Sequence, residues 1–342
     1  MENIQLVQRS KMYLDEIKLK EIFSEIQSKK ILVIGDLMLD HYIIGDVERI
    51  SPEAPVQVVK VEQEKFGPGG AANVAQNIKA LDAEPLIIGM VGDDESGSKL
   101  KQIFLENHIS DEGIIASTSH PTTQKTRVIA RSQQLVRIDF EKDEDIDHSV
   151  YKQIEQYANK IISQVNGIIL QDYNKGLLSK KLIHLFTTLA KEHDIPIGVD
   201  PKAKNFFEYK DVTVFKPNKL ETEKNLQYEI ECDDDLQVIA QKLMDKLHCS
   251  YIVITLGSKG MFIYDNHKKN WLIPTFSQEV YDVSGAGDTV ISTLMLGLSA
   301  GCDIKEASII ANHAAGVVCG KVGAATATPD EIIASFKKWN NA

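Results

Sequence analysis

The chain is poor in cysteine, has no basic excess and contains no long apolar run. Its four cysteines, Cys232, Cys249, Cys302 and Cys319, stand far apart with no C-x-x-C pair. That spacing suits neither a disulfide framework nor a zinc site, so reduced thiols in a cytoplasmic protein are expected. Lys and Arg number 38 against 49 Asp and Glu, a formal net charge of −11 over 342 residues. No nucleic-acid partner is expected from that balance, and an anionic ligand would need a local cationic pocket. No apolar stretch approaches the ~18–20 residues that cross a bilayer. The first residues, MENIQLVQRSKMYLDEIKLKEIF, mix acids and bases and lack the apolar centre of a signal peptide, so no membrane partner is expected.

What is present is globular: 43% hydrophobic and 25% charged residues argue against disorder. Apolar positions at helical spacing over 11–29, including Tyr13, Leu14, Ile17, Leu19 and Ile22, predict an amphipathic helix in an N-terminal extension, 1–29. Short β-branched runs follow at 31–36, 86–92, 167–172, 196–201, 212–218 and 251–257. Helical periodicity lies between most of them, at 71–81, 94–107, 149–164, 179–193 and 234–248. Strands alternating with helices predict a mostly parallel sheet covered on both faces, an α/β fold. Ligands of such sheets bind beyond the carboxyl ends of the strands, which draws attention to Asp36, Asp172, Asp200, Asn218 and Gly257. Two segments, 41–67 and 122–142, alternate apolar and polar residues at period 2 without helices. They predict antiparallel strands in a small separate sheet, a lid on one large domain over 30–342.

Three glycine-bearing segments invite chemistry. GDDESGSK (92–99) nearly spells a phosphate-binding P-loop, but its Lys and Ser are in the wrong order and its acids would repel phosphate. DVSGAGDTVISTLMLGLSAG (282–301) is stronger. Gly285, Ala286 and Gly287 let backbone N–H groups approach a ligand at the start of a buried helix, where a phosphoryl group is well placed. Asp288 at that helix start is either an N-cap or a general base, and the flanking Gly-Ala-Gly favours the base. GPGGAANVAQNIKALDA (67–83) places Gly69 and Gly70 before a helix with Asn73 in its first turn. It reads either as a tight turn with close helix packing or as a cradle for a polyhydroxyl ligand.

These two segments resemble the two signatures of the ribokinase-like (PfkB) carbohydrate kinases, and their spacing agrees. The resemblance runs from about residue 30 to about 336. It is strongest to the D-glycero-β-D-manno-heptose-7-phosphate kinases, through GDLMLDHYIIGDVERISPEAPVQVVK (35–60), RSQQLVRIDFE (131–141), QDYNKGLLS (171–179), EVYDVSGAGDTV (279–290) and ANHAAGVVCGKVG (311–323). It implies a ribokinase-like α/β/α sandwich with a β lid, ATP and Mg²⁺ as cofactors, and room for a monovalent cation. It implies Asp288 as catalytic base and Gly285, Ala286 and Gly287 as the anion hole. Asn218, Lys219, Leu220 and Glu221 fall on the N-x-x-E motif, with Glu221 holding Mg²⁺ through water. Thr255, Gly257 and Asn312 fall where the family binds nucleotide, and Asp36, Asp40, Gly69, Gly70 and Asn73 where it binds sugar. The implied reaction phosphorylates the anomeric hydroxyl of the heptose 7-phosphate, on the route to ADP-heptose and the lipopolysaccharide core. Ser284 stands where Thr is frequent. Many such kinases are fused to an adenylyltransferase. This sequence ends near the kinase's expected end and has no H-x-G-H motif, so a kinase alone is expected.

A counting argument on 122–142 is independent of that resemblance. Lys125, Arg127 and Arg131 share parity and project to one face of an uninterrupted strand, a cationic face that a 7-phosphate would need. The same charges would also protect a solvated edge strand. Arg137 follows a turn at Ser132-Gln133-Gln134 that resets the phase. Lys175, after a strand end, is a further candidate for substrate phosphate. A lone lid sheet with open edges predicts a homodimer. The rival readings are a family kinase acting on fructose phosphate, ribose or a nucleoside, and a sugar or nucleotide sensor, which would need no base. A dinucleotide-dependent oxidoreductase would need G-x-G-x-x-G after the first strand, where GDLMLD stands.

Overall fold

Consecutive Ile, Leu and Val in ILVIG are stable as a strand only where both faces are covered. They form β1 (Lys30–Gly35), buried at every position after Lys30. The structure is a computed structural model describing residues 14–131, 133–276, 280–321 and 323–340. Residues 1–13 of the expected extension, Tyr13 included, lie outside the described residues, as do Ser132 of the expected turn and Glu279 and Val322 of the stretches quoted above.

After β1 the strands are β2 (Leu37–Ile50), β3 (Gln57–Gly70), β4 (Glu84–Gly92), β5 (Ile114–Ser117), β6 (Thr123–Ala130), β7 (Gln133–Phe140), β8 (Gly167–Gln171), β9 (Ile197–Asp200), β10 (Val214–Phe215), β11 (Tyr251–Thr255), β12 (Met261–Asp265) and β13 (Asn270–Ile273). The helices are α1 (Glu16–Ile26), α2 (Ala71–Ala80), α3 (Glu95–Glu106), α4 (His148–Ile161), α5 (Lys180–Glu192), α6 (Lys219–Leu226), α7 (Asp233–Leu247), α8 (Ala286–Ser299), α9 (Ile304–Cys319) and α10 (Pro329–Asn340).

Nine strands make the main sheet in the order β13-β12-β11-β10-β9-β8-β1-β4-β5. Every pair from β11 to β5 is parallel, as expected for this α/β sandwich, although no run in the sequence marks β5. The antiparallel edge of β12 and β13 was not anticipated. Side chains of β1 alternate between two cores. Ile31 and Val33 join Leu19, Ile22, Phe23 and Ile26 of α1 and the apolar faces of α2, α8 and α9. Leu32 and Ile34 join α4, α5 and α7. Each such fully buried side chain contributes roughly 1.5–3 kcal/mol. Helix α1 is tied down further by ion pairs from Lys18 to Glu306 and from Glu16 to Lys337.

The lid is a second sheet in the order β3-β2-β6-β7. Its β2–β3 and β6–β7 pairs are antiparallel as expected, but β2 and β6 pair in parallel. The reason is geometric: β2 continues β1 and β6 follows β5, two parallel strands, so both leave the main sheet from its carboxyl edge. Only Asp36 separates β1 from β2. Its N–H donates to the Gln171 carbonyl and its own carbonyl accepts from the Ala71 N–H, so the chain leaves the main sheet there. Gly70 closes this corner with φ +61°, and a Cβ on it would lie 2.4 Å from the Asp36 carbonyl oxygen. At the near-P-loop, Asp94 caps α3. Its carboxylate accepts from the Gly97 N–H and from the backbone and hydroxyl of Thr122.

Candidate active site

Small residues at its N-terminus let α8 begin flush against α2. Gly285 takes φ +78°, and a Cβ there would meet the Asn73 amide nitrogen at 2.9 Å. Asp288 in the first turn is 4% exposed. Asn73 Nδ2 donates to its Oδ2 at 2.7 Å. Gln171 Nε2, at the end of β8, and the Tyr173 hydroxyl donate to its Oδ1 at 3.0 and 2.9 Å. Asn77 donates to the carbonyl and side-chain oxygen of Asn73, and Thr289 donates to Asn77, which turns the Asn73 amide toward the carboxylate. Burial pushes Asp288 up to about 6, and the Asp200 charge adds to this against the pull of Asn73, Tyr173 and Lys216. The carboxylate is therefore charged at pH 7 and close to titrating, the state a general base requires. Its Oδ1 takes two donors and its Oδ2 one, so Oδ2 keeps room for a hydroxyl.

Beside it lies a charged cluster of which the sequence points to Asp200 and Glu221 but not to their basic partners. Lys216 and Asp200 form a buried pair at 3.0 Å, and Gln171 Nε2 also reaches Asp200 at 3.2 Å. A Cβ on Gly287 would stand 3.8 Å from both partners of that pair, so the pair adjoins the expected anion hole. Lys202 pairs with Glu221 and lies 5.5 Å from the Tyr173 ring centroid. Gln171, Tyr173, Lys202 and Lys216 all sit at or just past strand ends, beside the residues that the sequence singles out there.

On the other side of Gly287 opens a cavity of about 520 Å³. Asn218, Lys219, Leu220, Thr255, Gly257 and Asn312 all line it, together with Ala286 and Gly287. Its walls include Leu256, Met261, Val283 and Val290, apolar surface suited to a flat base. Gly257 has φ +60° and open space around it, so backbone is presented to the cavity without a side chain. Asn312 Nδ2 donates to the Pro274 carbonyl at 2.6 Å. Glu221 does not line this cavity. It closes a capping box with Asn218, each side chain accepting the other's N–H, and its second oxygen holds Lys202.

The lid supplies a third group. Arg127 donates to Asp40 Oδ1 at 2.6 Å, and its guanidinium lies 5.3 Å from the Tyr42 ring. Asp40 Oδ2 is the atom a Cβ on Gly69 would meet at 2.9 Å. Burial pushes Asp282 up, but the Ser284 and Gly323 N–H groups and the Arg127 charge outweigh it and leave it lowered. The Arg127 charge is thus felt at the loop that precedes α8. Asp36 accepts three backbone N–H groups, from Tyr173, Lys175 and Leu177, at 2.8, 3.0 and 3.2 Å. Burial and the neighbouring Asp172 charge still push it up to about 6. Asp36 and Lys175 line a small cleft with His120, Thr123 and Lys142.

The shared-parity cations do not form one free face. Lys125 holds Asp139 and Glu141, and Lys175 holds Glu141 and Asp143. Strand β6 ends at Ala130, and Arg131 follows with φ +49°, so the parity does not extend to it. Arg131 is exposed and bonded to Asp46, beyond the end of the strand that carries Arg127.

Comparison with known proteins accords with this geometry. The bifunctional protein HldE of Helicobacter hepaticus is 45% identical over 310 residues, 90% of this chain and 64% of that one. HldE of a Nitratiruptor species is 42% identical, covering 89% of this chain and 64% of that one. The chain thus spans about 64% of the length of these curated relatives. Among solved structures, phosphofructokinase-2 from Escherichia coli in complex with substrates and products superposes with a TM-score of 0.76 at 18% identity, over 91% of this chain and 99% of that one. The pfkB family carbohydrate kinase profile matches residues 28–331, and the chain belongs to that family.

Proposed function

We propose that this chain transfers the γ-phosphoryl group of ATP to the anomeric hydroxyl of D-glycero-β-D-manno-heptose 7-phosphate, giving the 1,7-bisphosphate on the route to ADP-heptose and the lipopolysaccharide core. The observation that carries this reading is the placement of Asp288: its carboxylate is buried at the start of α8, with the large cavity beside Gly287 and three neutral donors on its oxygens. Similarity to the HldE proteins supports the heptose phosphate as acceptor.

In this mechanism the sugar's anomeric O–H gives its proton to Asp288 Oδ2. The oxygen's lone pair forms the new bond to the γ-phosphorus, and the bond to the bridging β–γ oxygen breaks, releasing ADP. The N–H groups of 285–287 meet the charge on the phosphoryl oxygens. Lys125, Arg127 and Lys175 trade their present carboxylate partners for the 7-phosphate, and Asp40, released by Arg127, accepts sugar hydroxyls. Mg²⁺ would supply screening of the phosphate charge, and Glu221, once parted from Lys202, would hold it through water. Room for a monovalent cation and a cytoplasmic location belong to the same reading. So does a homodimer: β7 is exposed along its length, with Leu135, Val136, Ile138 and Phe140 among the exposed apolar residues.

The test is ADP production with heptose 7-phosphate against fructose 6-phosphate, ribose and a nucleoside, with the new phosphate located by ³¹P NMR. We expect the heptose phosphate to lead by at least tenfold in kcat/KM, with phosphate on the anomeric oxygen. Equal turnover of ribose overturns the assignment of substrate.

A further inference from the structure

Each oxygen of Glu221 already takes one donor. One accepts the Asn218 N–H at 2.9 Å and the other holds the Lys202 ammonium. A hydrated dication at this carboxylate would meet the Lys202 ammonium, so the two cations compete for it. Lys202 has somewhere to go. It stands two residues past the end of β9, 5.5 Å from the Tyr173 ring, and the Tyr173 hydroxyl bonds Asp288. Its ammonium thus neighbours Glu221 on one side and the Tyr173–Asp288 pair on the other, and the Asp288 charge is felt at it.

Other nearby cations are less suited to that role. Lys216 is 3% exposed and fixed on Asp200, and Lys219 is turned to the Ile230 carbonyl at 2.8 Å. Lys202 is 30% exposed on a flexible stem. Burial pushes its ammonium pKa down, but the fields of Asp200 and Glu221 outweigh this and leave it raised, so it is charged at neutral pH.

We propose that Lys202 is a catalytic lysine that exchanges partners. Without nucleotide it holds Glu221. With nucleotide bound it moves onto the transferring phosphoryl group and leaves Glu221 to the hydrated Mg²⁺. The pair keeps two opposite charges at the site neutralised in the resting protein and delivers both to the phosphates together. This rests on the kinase reading above but not on the identity of the sugar.

The test titrates β,γ-methylene ATP into the full chain by calorimetry over a series of Mg²⁺ concentrations, with no sugar present. Lys202→Met removes the competitor for Glu221. It is expected to lower the Mg²⁺ midpoint for analogue binding at least threefold and to lower kcat at least a hundredfold. Glu221→Gln keeps the helix cap but releases Lys202, and is expected to tighten metal-free analogue binding at least threefold. Adenosine binding unchanged from the parent shows that each variant is folded. An unchanged Mg²⁺ midpoint in Lys202→Met, or a kcat within threefold of the parent, overturns the proposal. Should Lys202→Met not bind adenosine, metal-free affinity in Glu221→Gln decides, and no change there overturns it. A parent that turns over no sugar phosphate sinks the proposed reaction but leaves the analogue titration to judge Lys202.

Discussion

Asp288 and Asp40 are both buried carboxylates, yet their surroundings are opposite in kind. Asp288 receives only neutral donors, Asn73, Gln171 and Tyr173. Asp40 is ion-paired to Arg127, and the lid around it is a lattice of such pairs, from Lys125 to Asp139 and Glu141 and from Arg131 to Asp46. Neutral donors hold a carboxylate in place without cancelling its charge, and at Asp288 burial outweighs their pull and raises its affinity for a proton. An ion pair instead lends each partner's charge to the other until a ligand competes for it. The first arrangement serves proton transfer, the second exchangeable binding.

The harshest way to break this contrast is Asp288→Asn. General-base contributions run roughly 10²–10⁴-fold, so we expect kcat in the ADP-release assay to fall on the order of 10³-fold. Analogue affinity should stay within threefold. A variant retaining a tenth of the parent rate would show that the carboxylate is not a base. Next comes Arg127→Met. Hydrogen bonds to charged groups are worth roughly 1.5–3 kcal/mol, which predicts a sugar-phosphate KM higher by about ten- to a hundredfold, with kcat changed far less. A collapse of kcat with KM unmoved would place Arg127 on the wrong side of the comparison.

A gentler probe is pH. Asp288 titrates at about 6, so kcat/KM should drop about tenfold per unit below that value as the carboxylate takes up its proton. Tyr173 donates to the charged form and thereby lowers the pKa, so Tyr173→Phe should move the acid limb to higher pH. A limb that stays put would remove Tyr173 from the base's environment. The smallest effect on rate is expected from Ile138→Lys on the exposed face of β7. Sedimentation should shift from dimer to monomer with kcat within about twofold, since surface changes away from special features usually cost little. A parent that already sediments as a monomer would discard the lid pairing.

The main sheet was legible because its strands are unbroken β-branched runs, each closed by a polar residue. The β12–β13 edge was not, because no helix separates Met261–Asp265 from β11 and its signal merges with that run. Period-2 alternation in the lid told which faces the side chains take, but nothing in it distinguishes a parallel partner from an antiparallel one, so the β2–β6 pairing was missed. At the site, Gly-Ala-Gly drew attention to Asp288. Asn73 was also picked, as a sugar ligand, but its amide meets a carboxylate 215 positions away, a contact no local pattern encodes. Lys202 and Lys216 stand where the strand-end rule points. Their pairing with Glu221 and Asp200 is a tertiary contact that no local pattern encodes.

Asp36 is the one residue between the central strand and the lid, and its side chain also grips the backbone of the 173–177 loop. That makes it a crankpin. If the lid swings about it, the same motion pulls on the segment that presents the Tyr173 phenol to Asp288. Cover and proton acceptor then cannot be set independently, and a molecule too small to draw the lid down, water above all, leaves the machinery out of alignment.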